Sequence, residues 1–360
     1  MPNFDNTALA LKAVFPTNEL IYDDKGLPGI YVQRQPQFLS ALLTNGDGSV
    51  HPAFLIGGQQ IAKLYIGKYQ GKELNGRIYS LPQEDPKTSI TMDTFEGYCK
   101  AKGDGHFCAT FAVYAFLALL CKKLGITPKG NNNYGRDVTE SLYLAIPTSK
   151  DGQRTGRVAT GTGPVTWSDT GDRDGIWDLN GNIWELAPGV RLVKGELQVI
   201  PYNNAAAPST NTGANSTEWR AINKAATSYN DLYLVPNGNG TTANSVRLDF
   251  VSGHWQWGDS IASQEDSSRS AAFASTTYAS SLSTWCKMYL QAMTLGPEEG
   301  ADAADYGGDY FYANNGADER VACRGGNWGN GAYSGVFALH FLYPRSSVYG
   351  HLGGRPAYYE

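Results

Sequence analysis

The side chains best suited to hold a metal ion lie together in the segment 175–186, whose sequence is GIWDLNGNIWEL. Asp178, Asn180, Asn182 and Glu185 supply carboxylate and amide oxygens, which are the ligands that Ca²⁺ prefers. The same Asp, Asn and Gly residues also favour a tight turn with positive φ between large apolar neighbours. We therefore expect a structural turn here, with a calcium site as the alternative.

No other group of residues matches a familiar catalytic pattern. The sequence contains no HExxH zinc motif, no Gly-x-Ser-x-Gly nucleophile turn, no phosphate-binding loop and no GxGxxG dinucleotide motif. His340 and His351 could transfer protons, but neither has a nucleophile beside it in the sequence. We interpret both histidines as contact residues and predict that the protein is not an enzyme.

The C-terminal segment has the composition of a binding surface. Residues 329–359 lack Lys, Glu, Gln, Met and Trp but are rich in Tyr, Ser, Gly, Asn, His, Arg, Phe, Leu and Val. All of these types can be encoded by changing only the two adenines of an Asn codon. Antibody binding loops also favour Tyr for rigid contact area, and Ser, Gly and Asn for adaptable hydrogen bonds. The segment is predicted to bind a partner and to be diversified, and a Gly-rich closing hairpin is the alternative.

Within this segment, contact residues and structural residues can be separated. The predicted contact residues are Asn330, Tyr333, Ser334, His340, Phe341, Leu342, Tyr343, Ser347, Val348, Tyr349, His351 and Leu352. Trp328, Phe337 and Leu339 are predicted to belong to the scaffold. Residues 336–339 alternate as a strand should, and residues 340–343 should then lead to a turn at Pro344.

The rest of the chain predicts a mixture of strands and helices. The predicted strands are Gly29–Gln33, Phe54–Ile56 and Ala62–Tyr69. A helix is expected over His106–Leu124, ended by Gly125, and a second one within Ser281–Met293. The stretch 200–320 is rich in Ala, Ser, Thr, Asn and Gly and should form long ordered loops.

Charge distribution, apolar runs and cysteine spacing argue against several kinds of partner, targeting segment and site. The formal net charge of −5 is spread without long runs, so no nucleic-acid partner is expected. The N-terminus has no signal-peptide pattern, and the longest apolar run, residues 107–121, suits a buried helix better than a membrane span. The five cysteines show no CxxC spacing, so neither a zinc site nor a disulfide framework is expected, although one or two bridges would be compatible.

Three motifs resemble one branch of a known fold family. The segment 175–186, the Arg-Gly-Gly-Asn-Trp run at 324–328 and Gly353-Gly354-Arg355 are similar to motifs of the formylglycine-generating-enzyme branch of the C-type lectin fold. Gly354 stands where that branch has Phe. The resemblance implies an α+β, C-type-lectin-like fold with long loop insertions. It also implies an N-terminal arm over residues 1–27 and one domain over 28–360, with an insert at about 200–320 and a variable region at about 327–357.

The C-terminal segment narrows the resemblance further. Its Gly325–Ala332, Gly335–Leu339 and Pro344–Ser346 runs resemble the constant parts of variable proteins made by diversity-generating retroelements. In such proteins, adenine-directed mutagenesis rewrites the ligand-facing residues of a C-type lectin domain. The resemblance implies a non-enzymatic protein that recognises a ligand or receptor, either at a phage tail tip or on a bacterial surface.

Two other functions remain as alternatives. Formylglycine-generating enzymes bind copper through paired cysteines near the C-terminal motif, because soft thiolates suit Cu(I). Here no Cys lies between Trp328 and Arg355, and Cys323 and Cys286 are far apart in the sequence. Because this cysteine pair is missing, a copper oxygenase ranks second to the binding protein. The third is a Ca²⁺-dependent carbohydrate-binding lectin.

The expected partner is an unknown protein or glycan on a target cell or surface. No nucleic acid, membrane insertion or resident cofactor is expected, and an oligomer is compatible with the sequence. A site that is rewritten carries no fixed chemical pattern, so the sequence does not specify the ligand.

Overall fold

The computed structural model describes residues 5–142 and 144–360, so residues 1–4 of the predicted N-terminal arm lie outside the described chain. The α-helices are α1 Asn6–Val14, α2 Leu39–Leu42, α3 Met92–Lys100, α4 Phe111–Leu124 and α5 Thr284–Ala292. Single 3-10 turns occupy Pro52–Phe54, Val165–Trp167, Asn204–Ala206, Tyr229–Asp231, Phe273–Ser275, Ala303–Tyr306 and Gly331–Tyr333. Helices and strands are interspersed along the chain, which confirms the α+β class.

Most of the regular structure consists of short strands. They are β1 Asn18–Tyr22, β2 Pro28–Arg34, β3 Leu55–Ile56, β4 Gln59–Gln60, β5 Leu64–Gly67, β6 Gly71–Leu74, β7 Arg77–Ser80, β8 His106–Cys108, β9 Lys150–Asp151, β10 Arg154–Thr155, β11 Trp184–Val193, β12 Glu196–Val199, β13 Arg220–Ile222, β14 Tyr233–Leu234, β15 Arg247–Val251, β16 His254–Gly258, β17 Arg269–Ala272, β18 Thr277–Tyr278, β19 Tyr310–Ala313, β20 Arg320–Arg324, β21 Leu339–Tyr343, β22 Leu352–Gly353 and β23 Pro356–Tyr359. The predicted strands near residues 30, 55 and 65 are confirmed as β2, β3 and β5.

The smaller of the two main sheets joins the two ends of the chain. Its strand order is β1-β2-β5-β23-β8, and every neighbouring pair is antiparallel. The C-terminal strand β23 therefore lies between β5 and β8, with Ala357 opposite both Ile66 and Phe107. This pairing fixes the backbone immediately after the predicted variable region.

The larger sheet carries the predicted binding segment. Its main path runs β17-β19-β21-β20-β11-β12-β15-β16-β18. Strand β21 is central, because β19 pairs with it in parallel on one side and β20 pairs with it antiparallel on the other. Strand β22 adds to the start of β11, with Leu352 opposite Trp184. The segment after residue 329 thus contributes strands to both sheets.

Helix α4 fills the main core and begins later than the sequence predicted. Its side chains are buried almost all round, as its run of apolar residues requires. The hydroxyl oxygen of Thr110 accepts a hydrogen bond from the backbone N–H of Val113, which caps the helix start, and Gly125 ends the helix at φ +66°. The predicted helix over His106–Leu124 is wrong at its beginning, because the residues before Thr110 form β8 and pair with β23.

The remaining predicted elements agree with the structure in part. Loops and turns make up most of the stretch 200–320, as predicted, but the prediction missed the short strands β13 to β19, all of which belong to the larger sheet. The helix expected within Ser281–Met293 is confirmed as Thr284–Ala292. The strand predicted for residues 336–339 begins only at Leu339 and continues to Tyr343. Its neighbours β19 and β20 supply the hydrogen-bonding partners that keep residues 340–343 extended.

Across residues 5–142 and 144–360, none of the helices combines the length and the apolar character that a membrane crossing requires.

Candidate binding surface

Two buried arginines hold the backbone of the C-terminal region, one just before the segment 329–359 and one near its end. Arg324, at the end of β20, donates to the carbonyls of Met293 at 3.2 Å and Thr294 at 3.0 Å, and it lies over the Phe111 ring at 4.3 Å. Burial lowers the pKa of the Arg324 guanidinium to about 9, so it remains charged near neutral pH. The segment therefore starts from a rigid contact with the end of α5.

At the other end, Arg355 is fully buried between the two sheets. Its guanidinium forms an ion pair with Glu185 at 2.9 Å and donates to the carbonyls of Gly67 at 2.8 Å and Trp177 at 2.7 Å. Charge-assisted bonds of this kind satisfy a buried guanidinium and give it a fixed geometry. The backbone between the two arginines is therefore held at both ends.

Eight of the predicted contact residues lie at the surface. Tyr333, Val348 and Tyr349 are the most exposed, at 48%, 54% and 47% of their maximal area. The remaining five, which are partly exposed, are Asn330, Leu342, Tyr343, Ser347 and His351. Most of them lie in or beside the loop between β21 and β22, where no sheet partner constrains the side chains.

The other four predicted contact residues are buried, so in this structure they cannot touch a partner. Phe341 faces the main core and packs against the rings of Phe111 and Phe311, both at 6.2 Å. His340 is on the opposite face of β21 but lies against the Trp184 ring at 4.9 Å. Both faces of β21 are therefore covered from Leu339 to Phe341, and only its last two residues are partly exposed, which the sequence pattern alone did not reveal.

The remaining two buried positions are explained by their neighbours. Leu352 belongs to β22 and packs into a second core with Trp184 and Cys323. Ser334 lies against Gly326, and its hydroxyl donates to the carbonyl of Asn327 at 3.4 Å. Both side chains therefore support the backbone of the segment.

The three residues predicted as scaffold have different environments. Phe337 and Leu339 are buried, as predicted, and Phe337 contacts the rings of Phe273 and Tyr306 at 5.4 and 4.9 Å. Trp328 does not cap a core, because it is only partly buried and its indole N–H donates to Asp151 in the exposed β9–β10 hairpin at 3.1 Å. Trp328 thus belongs to the surface.

The aromatic residues of this region form one continuous series of ring contacts, which we call the aromatic strip. Its members are Trp328, His351, Tyr349, Tyr343, His340, Tyr312, Tyr310 and Tyr333. Tyr343 is at its centre, with ring centroids 4.2 Å from His340, 5.0 Å from Tyr349 and 5.9 Å from His351. Tilted and stacked rings at these distances attract one another beyond simple area burial.

An irregularity in the sheet directs Tyr343 into the strip. Opposite β20, Val321 pairs with Tyr343 and Cys323 pairs with His340, so β21 has one extra residue across this interval. Such a bulge re-aims side chains, and here it brings two rings that are three residues apart within 4.2 Å. The Tyr343 hydroxyl then shares a 2.9 Å hydrogen bond with Nε2 of His351.

The strip carries no formal charge near neutral pH. Burial, with a contribution from His351, lowers the pKa of His340 to about 3, and burial also lowers the pKa of His351. Burial raises the pKa of Tyr343 and of Tyr312 to about 12. The surface therefore offers ring faces and hydroxyl groups rather than acid–base chemistry.

Charged residues from outside the C-terminal segment border one end of the strip. The Arg154 guanidinium of β10 stacks on the Tyr134 ring at 3.3 Å. Arg157 donates to the carbonyl of Gly350 at 3.0 Å and forms an ion pair with Asp85 at 2.8 Å. The Arg157 contact holds the loop after β21 against the body of the protein, which lowers the conformational entropy that the loop would lose on binding.

The structure adds Tyr310 and Tyr312 to the site, and sequence reasoning missed both. They lie on β19, far before the C-terminal segment, and reach the strip only because β19 pairs with β21. Their alternation with buried Phe311 and Ala313 is the pattern of a half-buried strand and was the available signal. The sequence did not show which strand would lie beside them.

The candidate calcium residues are used inside the fold. Asn182 donates to Gln70 and Val158, while its side-chain oxygen accepts from Asn131 at 3.1 Å and from the Val158 N–H at 2.9 Å. Asn180 donates to the Pro128 carbonyl at 2.9 Å. Both asparagines therefore connect neighbouring loops.

The two carboxylates of that motif are also engaged. Glu185 pairs with Arg355 and accepts from the Tyr114 hydroxyl at 2.6 Å. One oxygen of Asp178 accepts from the Gly161 N–H at 2.9 Å, and burial raises the pKa of this carboxyl to about 6. Positive φ at Asp178 and Asn182, 63° and 61°, agrees with the predicted tight turn.

Within the described residues, no group of three or more His, Cys, Asp or Glu side chains is arranged to hold a metal ion. All five cysteines are buried and free. Cys323 lies in β20 and Cys286 in α5, and burial raises the pKa of both thiols, to about 12 for Cys286. Thiols in that state are poor ligands, because the thiolate is the metal-binding form.

Solved structures that are similar to this chain include two variants of one protein. The Major Tropism Determinant P3c variant and the Major Tropism Determinant U1 variant are each similar to this chain with a TM-score of 0.30 and 10% sequence identity. Each match covers 95% of this chain and 71% of the other. No family model matches the sequence, and no curated protein matches it.

Proposed function

We propose that this is a non-enzymatic recognition protein whose C-terminal segment is diversified and binds a ligand or receptor through the aromatic strip. The observation that supports it best is the division of the segment into two sets of residues. The buried set holds the backbone and consists of Arg324, Phe337, Leu339 and Arg355. The surface set consists of Asn330, Tyr333, Leu342, Tyr343, Ser347, Val348, Tyr349 and His351.

The chemistry of the strip suits binding more than catalysis. Exposed tyrosines on a rigid backbone give large contact area with little entropy lost on association. Each aromatic residue buried by a partner can supply roughly 2 kcal/mol, so a few of them decide which partner is bound. The proposed partner is a protein or glycan on a target cell or surface, and the proposed location is a phage tail tip or a bacterial surface.

The domain organisation belongs to the same proposal. It comprises an N-terminal arm up to residue 27 and a C-type-lectin-like domain from residue 28 onward, with the variable region at about 327–357. The pairing of β23 with β5 and β8 supports a constant boundary at the end of that region. The four buried positions, Ser334, His340, Phe341 and Leu352, no longer count as contacts.

Sequencing the segment that encodes residues 327–357 in many copies of the gene tests the proposal. We expect amino-acid changes to concentrate at the eight surface positions, while codons for Phe337, Leu339 and Arg355 stay constant. A nearby reverse transcriptase gene and an adenine-rich near-copy of the segment should accompany them. Changes spread evenly over the segment, or no near-copy of it, would show that it is not diversified.

A binding experiment tests the surface itself. Tyr349→Ser and Tyr333→Ser remove exposed rings and should weaken capture of target cells at least tenfold while the melting temperature stays within a few degrees. Tyr22→Ser, which removes an exposed tyrosine from β1, is the matched control and should bind normally. Equal binding by all three variants would place the recognition surface elsewhere.

A further inference from the structure

Strand β19 presents two tyrosines to the same surface as the variable segment. Phe311 and Ala313 are fully buried towards the main core, while Tyr310 and Tyr312 alternate with them on the opposite face and stay partly exposed. In parallel pairing with β21, Tyr312 lies directly beside His340. The position of these tyrosines is therefore set by sheet register and not by a mobile loop.

The two tyrosines connect parts of the strip that would otherwise be separate. The Tyr310 ring lies 4.0 Å from Tyr333, and the Tyr312 ring lies 6.1 Å from His340. Tyr310 and Tyr312 are themselves 5.9 Å apart. Among the described residues, Tyr310 is the ring partner that joins Tyr333 to the rest of the strip. The series of ring contacts that connects Tyr333 with Tyr349 runs through both tyrosines of β19.

Both tyrosines have the properties of a permanent contact. They precede residue 327 and so lie outside the segment proposed to vary. Tyr312 is braced by the buried Trp184 ring at 6.0 Å, and burial raises its pKa to about 12, which keeps its hydroxyl protonated. A rigid aromatic ring with a neutral hydroxyl group can meet apolar groups and hydrogen-bonding groups of many different partners.

We infer that Tyr310 and Tyr312 form a constant half of the recognition surface, next to which the exchangeable residues set specificity. This inference rests on the proposed function. It assigns general affinity to β19 and partner choice to Tyr333 and the loop after β21. It also favours partners that offer uncharged apolar and hydrogen-bonding groups, because the strip carries no formal charge near neutral pH.

A selection experiment tests this division without knowledge of the natural ligand. In the full-length protein, positions 333, 342, 347, 348 and 349 are randomised, and the library is displayed and selected for binding to lysozyme as the probe. Tyr310→Ser and Tyr312→Phe are then introduced separately into several selected binders. Tyr310→Ser removes the ring and the hydroxyl, whereas Tyr312→Phe keeps the packing against Trp184 and removes only the hydroxyl.

We expect Tyr310→Ser to weaken lysozyme binding at least tenfold in most of the binders, and Tyr312→Phe to weaken it about three- to tenfold. The control substitution Tyr22→Ser should leave affinity unchanged, and melting temperatures should show that every variant is folded. Binders that keep their affinity within twofold after both changes would overturn the constant role of β19 while the proposed function stands. A library that yields no binder would overturn the proposed function and this inference with it.

Discussion

Arg355 and Tyr349 are separated by only six positions, but their environments have almost nothing in common. Arg355 is fully buried and bonds to Gly67 in β5 and to Trp177 and Glu185 of the segment 175–186, which are both far from it in the sequence. Tyr349 is about half exposed, and its ring contacts Tyr343 and His351 of its own segment. Arg355 thus connects the segment to distant parts of the fold, whereas the Tyr349 ring contacts rings of its own segment.

This difference explains how one segment can be both stable and changeable. Removing a buried polar group leaves its partners unsatisfied at a cost of several kcal/mol, so such positions must stay constant. Substitutions at exposed positions away from such networks usually change stability by less than about 0.5 kcal/mol. Constancy and variation in the segment should therefore follow burial residue by residue.

The largest effect is expected at the arginine anchor. Arg355→Ala should lower the free energy of unfolding by about 3–5 kcal/mol, because Glu185 would keep a buried and unpaired charge. Urea unfolding measures the change. Arg173→Ala, which removes an exposed guanidinium, is the control and should change the value by less than about 0.5 kcal/mol. Similar results for the two variants would remove the distinction between anchor and surface.

A comparably large loss is expected for the buried aromatic residue of β21. Phe341→Ala should cost about 3–5 kcal/mol, since its ring packs against Phe111 and Phe311 in the main core. Tyr349→Ala removes an aromatic ring eight positions later and should cost less than about 1 kcal/mol. If both variants unfold at the same urea concentration as the parent, Phe341 is not a core residue.

The free energy of unfolding should depend on pH through a buried carboxyl group that contacts the C-terminal segment. Asp309 accepts a 2.7 Å hydrogen bond from the Phe337 N–H, and burial raises its pKa from 3.8 to about 7. Between these pH values the folded protein holds more protons than the unfolded chain, so the free energy of unfolding falls as pH rises from about 4 to 7. The contribution of this carboxyl is roughly 2–4 kcal/mol.

Asp309→Asn, which cannot titrate, should remove that part of the slope, and stability measured against pH checks it. Burial raises the pKa of Glu96 to about 7 and that of Asp178 to about 6, so part of the slope should remain. Binding through the strip should stay constant between pH 7 and 9, because burial lowers the pKa of both histidines and raises the pKa of Tyr343 and Tyr312 to about 12. An unchanged slope in the variant would mean that Asp309 titrates normally.

The smallest stability effect tests the corrected position of Trp328. Trp328→Ala should cost only about 1 kcal/mol, because this side chain is partly exposed and contacts a surface hairpin. Phe337→Ala, a matched aromatic truncation in the same segment, should cost about 3–5 kcal/mol. Thermal unfolding of both variants compares them. Complete unfolding caused by the Trp328 change would instead support the scaffold role that the sequence predicted for this residue.

The sequence predicted local features of the site better than its spatial limits. It identified the tight turn at Asp178–Asn182 and the scaffold roles of Phe337 and Leu339, because turn residues and apolar residues act through local rules. It failed for His340 and Phe341, since a polar or aromatic residue in a strand is exposed only if that face of the sheet is uncovered. That depends on neighbours far away in the chain.

By itself, the sequence determined the amino-acid composition of the C-terminal segment and the positions at which the chain can turn. Only the tertiary structure decided that β19 lies beside β21, which brings Tyr310 and Tyr312 next to Tyr333 and His340. Strand pairing depends on backbone hydrogen bonds and on the packing of both sheet faces, and neither is encoded within one short window of residues. The sequence of the segment therefore decides which side chains it can offer to the surface, and the fold decides how far that surface extends.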